Sequence, residues 1–303
     1  MIPVLDWSSY GADPDAFANQ LGQACRTVGF ILLENHGVSG DLIARVFNRA
    51  DAFFALPTAD KAKLDIRSVG SNRGWSPMGS ESLDMAAPDQ KEAFNMGLDL
   101  AADDPRIRAG EPFRAVNVWP DIPGFRESLI AYFEVAHRLS VALHRPIARD
   151  LGLPETYFDG ALDQPLATLR LLHYPANPAQ TGIGAGAHTD YGSITLLMTD
   201  GEPGLQVKPR DGDWIDAPHL PGAFVVNIGD CLMRWTNDIY RSTPHRVLPP
   251  KRQRRSIAFF LDPNPDAIVA ALPGTGSARY EPVTGADYLR SRLEATYAPG
   301  VAE

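Results

Sequence analysis

Apolar residues recur along the chain in two rhythms. From Asp13, placed to cap a helix, Phe17, Leu21 and Ala24 fall at three- and four-residue intervals to about Val28, the spacing of a helix with one buried face. A strand-like run, Ile2 to Leu5, precedes it, and another, Phe30 to Leu33, follows. Gly40 and Asp41 then open a second amphipathic helix through Leu42, Ile43, Val46, Phe47 and Phe53. Residues 67–120, rich in Gly, Pro, Ser and Asp, show little periodicity and read as long loops with short elements, the kind that often line a site. A third helix is predicted from Phe125 to about Gly152, where Tyr132, Ala136, Leu139, Leu143 and Ile147 share a face. Pro146, without a backbone N–H, is expected to kink or split it.

Beyond Asp163 the rhythm shortens. Six apolar, β-branched runs follow: Ala167 to Tyr174, Gly192 to Thr199, Leu205 to Lys208, Ala223 to Ile228, Thr243 to Leu248 and Ser256 to Asp262. Turn pairs such as Asp200-Gly201, Asp211-Gly212 and Pro249-Pro250 separate them, which indicates an antiparallel sandwich or barrel rather than βαβ units. Helical spacing returns from Ala286 to Tyr297. The expected organisation is an N-terminal α/β region (1–120), a long core-packing helix (121–160), a β core (165–265) and a helical tail (266–303). There is no internal repeat.

Composition narrows the function. With 28 basic and 37 acidic side chains the net charge is -9, and an acidic surface repels nucleic acid unless a local basic patch overrides it. The densest candidate, Lys251 to Arg255, is short. No apolar run approaches the ~20 residues that cross a bilayer, and the amino terminus lacks the pattern of a signal peptide. Two cysteines, Cys25 and Cys231, cannot staple a fold of this size, so a reducing cytoplasm is the expected compartment. The expected partner is a small-molecule substrate, with no nucleic acid and no membrane; no pattern specifies an oligomeric state.

The chemistry begins with histidine. His188-Thr189-Asp190 puts an imidazole and a carboxylate two residues apart beside a strand, where extended chain sends both to one face. Seven histidines and 37 acids in 303 residues give about one such match by chance. A third donor, His245, follows 55 residues later in Thr243 to Leu248. Two neutral imidazoles and one carboxylate on one side of an ion form the facial arrangement of non-haem Fe(II) oxygenases.

In Arg254-Arg255-Ser256, strand alternation sends Arg254 and Ser256 to one face and Arg255 to the other. The Pro249-Pro250 turn returns this strand along the one bearing His245, either paired in one sheet or facing it across two layers ~10 Å apart. A guanidinium and a hydroxyl form a carboxylate clamp. A buried arginine beside a metal needs an anion, since an unpaired buried charge costs several kcal/mol. A dicarboxylate such as 2-oxoglutarate supplies one and balances the charge of Fe(II), Asp190 and Arg254.

Taken together, these segments resemble the isopenicillin N synthase-like branch of the Fe(II)/2-oxoglutarate-dependent dioxygenases over nearly the whole chain. The likeness rests on Ile2 to Asp6, Val28 to Val38, Lys91 to Asn95, His188-Thr189-Asp190, Asn227 to Asp230, Trp235 to Asn237, His245 to Val247 and Arg254 to Ser256, in family order. It implies a distorted double-stranded β-helix, or jelly roll, flanked by N-terminal helices and a C-terminal helix. It further implies Fe(II) on His188, Asp190 and His245, 2-oxoglutarate on Arg254 and Ser256, and O2 as oxidant. Tyr174 aligns with a tyrosine that often bonds the cosubstrate, although Leu172 replaces the asparagine many relatives carry two residues earlier. The implied reaction couples decarboxylation of 2-oxoglutarate to succinate and CO2 with hydroxylation, desaturation or cyclisation of a small organic substrate. An iron oxidase of the same fold that dispenses with 2-oxoglutarate is the alternative; a non-catalytic jelly-roll module is the third. Arg73, Phe94, Asn95 and Tyr191 are candidates for the substrate pocket. His36, His137, His144, His173 and His219 read as structural, and Gly182, Gly184 and Gly186 as a lead into the metal strand.

Overall fold

The computed structural model describes residues 1–81, 88–210 and 212–296. Asp211 of the Asp211-Gly212 turn, and Tyr297 with the rest of the tail, lie outside the described residues.

Twelve strands build the core in chain order: β1 (Val4–Asp6), β2 (Phe30–Glu34), β3 (Gly74–Ser76), β4 (Glu92–Gly97), β5 (Thr168–Tyr174), β6 (Ala185–His188), β7 (Ile194–Thr199), β8 (Leu205–Val207), β9 (Ile215–Asp216), β10 (Phe224–Ile228), β11 (His245–Val247) and β12 (Arg254–Leu261). Eight form one sheet in the order β1-β2-β10-β7-β12-β5-β4-β3, and four form a second in the order β6-β11-β8-β9. Only β1 and β2 pair in parallel; the other neighbours in these sheets are antiparallel. Phe30, Leu32, Leu172, Val225 and Ala258 of the large sheet share one buried cluster with Ala185, Val207 and Val247 of the small sheet. Two antiparallel layers thus enclose one interior, as in a jelly roll.

The other face of the large sheet is covered by the helices Pro14–Thr27, Gly40–Phe54 and Phe125–Asp150. Along β5, Leu169 and Leu171 join the helix-side core while Leu172 and Tyr174 join the interior, so the strand separates two cores by simple alternation. The Asp13 carboxylate accepts from the Ala16 N–H at 2.9 Å, capping the first helix as its sequence predicts. The expected break at Pro146 does not divide the third helix, which runs unbroken from Phe125 to Asp150. Proline there removes one backbone bond, but Leu143, Ile147 and Ala148 are buried in the core on either side. Burial of each large apolar side chain contributes about 1.5–3 kcal/mol, comparable to the cost of an interior proline.

The stretch 67–120 holds more structure than its composition suggests. β4 pairs with β5 and β3, and all six of its residues are buried. Its alternation is masked because each face carries a polar side chain. Glu92, on the helix side, accepts from Lys61 Nζ and Trp75 Nε1, each at 2.8 Å, while Asn95 occupies the opposite face. The C-terminal helix spans Gly285–Thr296. No helix among the described residues is long and apolar enough to cross a membrane.

Candidate active site

β6 and β11 are neighbours in the small sheet, and His188 and His245 are direct partners in their register. Their rings lie 4.3 Å apart, centroid to centroid. The chain leaves β6 at His188, so Asp190 falls in the following turn and directs its Oδ1 at both rings, 3.8 Å from His188 Nε2 and 3.5 Å from His245 Nε2. One donor atom from each of the three lies within 4.8 Å of the others. The sequence-predicted triad therefore converges, and it is the one such His/Cys/Asp/Glu group found among the described residues.

Neighbouring groups settle which atoms face the centre. His188 Nδ1 meets the Gly186 carbonyl at 2.7 Å and His245 Nδ1 meets the Thr243 carbonyl at 3.2 Å. A carbonyl only accepts, so each Nδ1 carries the proton and each Nε2 keeps its lone pair. Asp190 Oδ2 accepts from Thr195 Oγ1 at 2.6 Å and Asn227 Nδ2 at 2.8 Å, leaving Oδ1 for the centre. Desolvation, then the adjacent His245, push the His188 pKa down to about 4, so the imidazole is neutral at pH 7 as a ligand must be. Burial acts to raise the Asp190 pKa, but the imidazoles and the bonds from Asn227 and Thr195 outweigh it and hold the carboxyl below its usual range. Two lone pairs and a carboxylate oxygen gathered on one side fit a divalent ion that keeps open positions, the Fe(II) donor set.

Arg254 and Ser256 stand on β12 of the large sheet, so they face the small sheet's histidines across the interior rather than pairing beside them. Arg254 is 1% exposed. Its register partner is Tyr174, whose ring lies 5.1 Å from the guanidinium. Its Nη1 reaches Ser256 Oγ only at 3.5 Å, and its Nε has no partner. A buried guanidinium without a carboxylate partner among the described residues fits a bound anion such as the far end of 2-oxoglutarate. The other two arginines of the basic run are paired with acids: Arg252 pairs with Glu202 at 2.9 Å, and Arg255 pairs with Asp200 at 3.1 Å and with Asp51.

The four pocket candidates separate. Asn95 lies on the interior face of β4, and Arg73, just before β3, lays its guanidinium against that face. Phe94 does not line the interior: alternation turns it to the helix side, where its ring packs 4.9 Å from Phe53 and 5.1 Å from Phe125. Tyr191 follows Asp190, with its ring under the Arg292 guanidinium of the C-terminal helix at 5.1 Å. The remaining histidines have structural partners in the fold. His36 meets the Gly222 carbonyl, His137 the Leu162 carbonyl, His144 Ser140 and Ser193, and His173 Glu92; His219 stands 3.3 Å from Thr199. Gly186 lies inside β6 itself.

Sequence reasoning missed the supports. Thr195 carries no motif, and Asn227 entered only as part of a family likeness. A network of Glu81, Asp89, Lys91 and Arg170 also borders the site: Lys91 pairs with Glu81 at 3.0 Å and with Asp89, and Arg170 pairs with Glu81. Asp89 accepts from the Gly186 N–H at 2.9 Å, which ties the network to the strand bearing His188. Asn227 with Asp190, Arg170 with Glu81 and Asp89 with Gly186 join residues far apart in the chain, and the shorter-range contacts of Thr195 and Lys91 follow no recognisable spacing, so no local signal announces them.

Known proteins match along nearly the same length. Residues 2–122 match the family model described as non-haem dioxygenase in morphine synthesis N-terminal, and residues 165–263 that of the 2OG-Fe(II) oxygenase superfamily. A 2-oxoglutarate-Fe(II) type oxidoreductase of Emericella nidulans is 36% identical, over 97% of this chain and 90% of the relative. The crystal structure of a full-length Neurospora crassa protein in complex with alpha-KG (2-oxoglutarate) superposes with a TM-score of 0.88 at 35% identity, covering 98% of this chain and 96% of that one. A complex of the same protein with alpha-KG and thymine gives 0.86 at 36% identity, covering 98% and 97%. Sequence, fold and donor geometry agree: the chain belongs to the 2OG-Fe(II) oxygenase superfamily, as an enzyme that uses Fe(II), 2-oxoglutarate and O2.

Proposed function

We propose that His188, Asp190 and His245 hold the iron, and that Arg254, with Ser256 and Tyr174, takes the far carboxylate of 2-oxoglutarate, in an enzyme of the isopenicillin N synthase-like branch acting on a small organic molecule. The observation that carries this reading is the buried Arg254 without an acid, placed on the sheet opposite three converging donors. When bound, iron would activate O2, the four-electron oxidant, with two electrons drawn from 2-oxoglutarate as it leaves as succinate and CO2 and two from the substrate as it is hydroxylated, desaturated or cyclised. The polypeptide orients these reactants. Gly186 and Thr243 hold both imidazoles in one tautomer, and Thr195 and Asn227 hold the carboxylate. The aromatic edge of Phe30, 5.4 Å from the His245 ring, helps keep water from that side of the centre, and exclusion of water limits side reactions. Two buried free thiols, Cys25 and Cys231, are in keeping with a reducing cytoplasm. Succinate formation in air tests the assignment. Wild type is expected to convert 2-oxoglutarate to succinate with iron, and the single variants His188→Ala, Asp190→Ala and His245→Ala to lose it. Retained conversion in all three would count against the triad.

A further inference from the structure

Four lysine or arginine residues are buried among the described residues: Lys61, Arg73, Lys91 and Arg254. Lys61 pairs with Glu92 at 2.8 Å and Lys91 with Glu81 at 3.0 Å. Arg254 and Arg73 have no carboxylate partner among the described residues, and Arg254 is accounted for by the cosubstrate. Arg73 is 8% exposed. Its Nη1 donates to the Asn72 carbonyl at 2.9 Å, its Nη2 only to the Phe113 carbonyl at 3.4 Å, and its Nε finds no acceptor. Burial first, and the nearby Arg114 second, lower its pKa to about 10, so it is cationic at neutral pH. A buried cation left without an anion costs several kcal/mol, and this one stands in the enzyme's interior.

Its position decides what it could bind. The guanidinium lies over Gly97: a Cβ there would sit 2.1 Å from Nη2, so glycine leaves the space that the cation fills. Gly97 shares the interior face of β4 with Asn95, whose Nδ2 donates to Asn72 Oδ1 at 2.6 Å and whose Oδ1 has no partner. Gly97 is level with Thr168, Thr168 with Phe260, and Phe260 with Thr195, the residue that anchors Asp190. Arg73, over Gly97, and Thr195, the anchor of Asp190, thus stand at opposite ends of one row of the large sheet. From β4 to β7 is three strand spacings, about 14 Å, and Thr168 and Phe260 project between the two ends on the same face, so a small molecule spanning the row would lie over their side chains. In the adjoining row Asn95 is level with Arg170 and Ala258, and the alanine leaves room above β12. Arg254 is six residues from Phe260 along β12, roughly 20 Å at 3.3 Å per residue, so the two unpaired cations answer to different anions.

We propose that the oxidised substrate is a small carboxylate carrying an N–H or O–H donor, its carboxylate held by Arg73, its donor by Asn95 Oδ1, and its reacting carbon over Ala258 beside the triad. This rests on the active-site assignment above. The test uses the full chain loaded with Fe(II) and 2-oxoglutarate, with succinate formation measured against hydroxy acids and N-acyl amino acids, each beside its primary amide. Acids are expected to stimulate succinate formation and the amides not. In Arg73→Met the KM for the best acid is expected to rise about 10- to 100-fold, the loss of one charge-assisted bond, with 2-oxoglutarate affinity unchanged and part of the loss restored in Arg73→Lys. Equal stimulation by the amides, stimulation by none of the acids, or an unaltered KM in a folded Arg73→Met would overturn it. If that variant does not fold, the ratio of acid to amide in wild type decides. Binding of 2-oxoglutarate to wild type, measured separately, distinguishes failure of this proposal from failure of the active-site assignment.

Discussion

The carboxylate of Asp190 divides its two oxygens between scaffold and site. Oδ2 is anchored by Thr195 and Asn227, and Oδ1 faces both imidazoles, so the side chain cannot turn without breaking two bonds. His144 makes the opposite use of burial. It is fully buried, its Nδ1 meets the Ser140 carbonyl at 2.8 Å and its Nε2 the Ser193 hydroxyl at 2.7 Å, and desolvation pushes its pKa down to about 4. The unfolded chain takes up a proton on this imidazole near pH 6.5 and the folded chain does not. Its contribution is therefore complete above about pH 6.5 and is lost as the pH falls toward 4. Urea unfolding of wild type against His144→Asn is expected to show a stability difference that shrinks over this window by on the order of 3 kcal/mol; a constant difference would contradict it. At this scale the sequence displayed His188, Asp190, His245 and Arg254 through residue type and spacing. It did not display Thr195 as an anchor, because a threonine in a strand is ordinary until the carboxylate that it holds arrives from the preceding turn.

Among the elements, the C-terminal helix has a defined task. Arg292 pairs with Asp230 Oδ2 at 2.8 Å, and the same oxygen accepts from Thr189 Oγ1 at 3.0 Å. The Asp230 N–H donates to the Asp190 carbonyl at 2.7 Å. The helix thereby braces the turn that carries His188 and Asp190 to the centre. Outer supports of this kind typically change metal affinity 10- to 100-fold, and the partial exposure of Arg292 places it at the lower end. Arg292→Ala is expected to weaken Co(II) binding to the metal-free protein about 10-fold in a spectral titration. Arg290→Ala, which removes an exposed pair with Asp287, is expected to leave binding unaltered. Equal affinities in the two variants would remove the brace from the account. The helix itself was legible from its spacing; its docking was not, since an arginine on a helical face announces no partner.

For the whole molecule, two sheets and a helical layer divide the labour. The small sheet brings both histidines, the large sheet brings Arg254 and Ser256, and the helices shield the large sheet's other face. The β rhythm after Asp163 revealed the layered core. It did not reveal that β2 of the N-terminal region lies against β10 or that β4 lies against β5, because pairing between distant segments leaves no periodic mark. The position of Arg254 relative to His245 was open between one sheet and two, and only the closure of the jelly roll decided it. The central claim, that three donors and this guanidinium serve one centre, is tested most directly by titrating 2-oxoglutarate into the Fe(II)-loaded protein without O2 and following visible absorbance. A charge-transfer band is expected that saturates at one 2-oxoglutarate per chain, vanishes in His245→Ala, and needs about 10- to 100-fold more 2-oxoglutarate in Arg254→Met. A wild-type protein that shows no band, or a band unchanged in both variants, would contradict it.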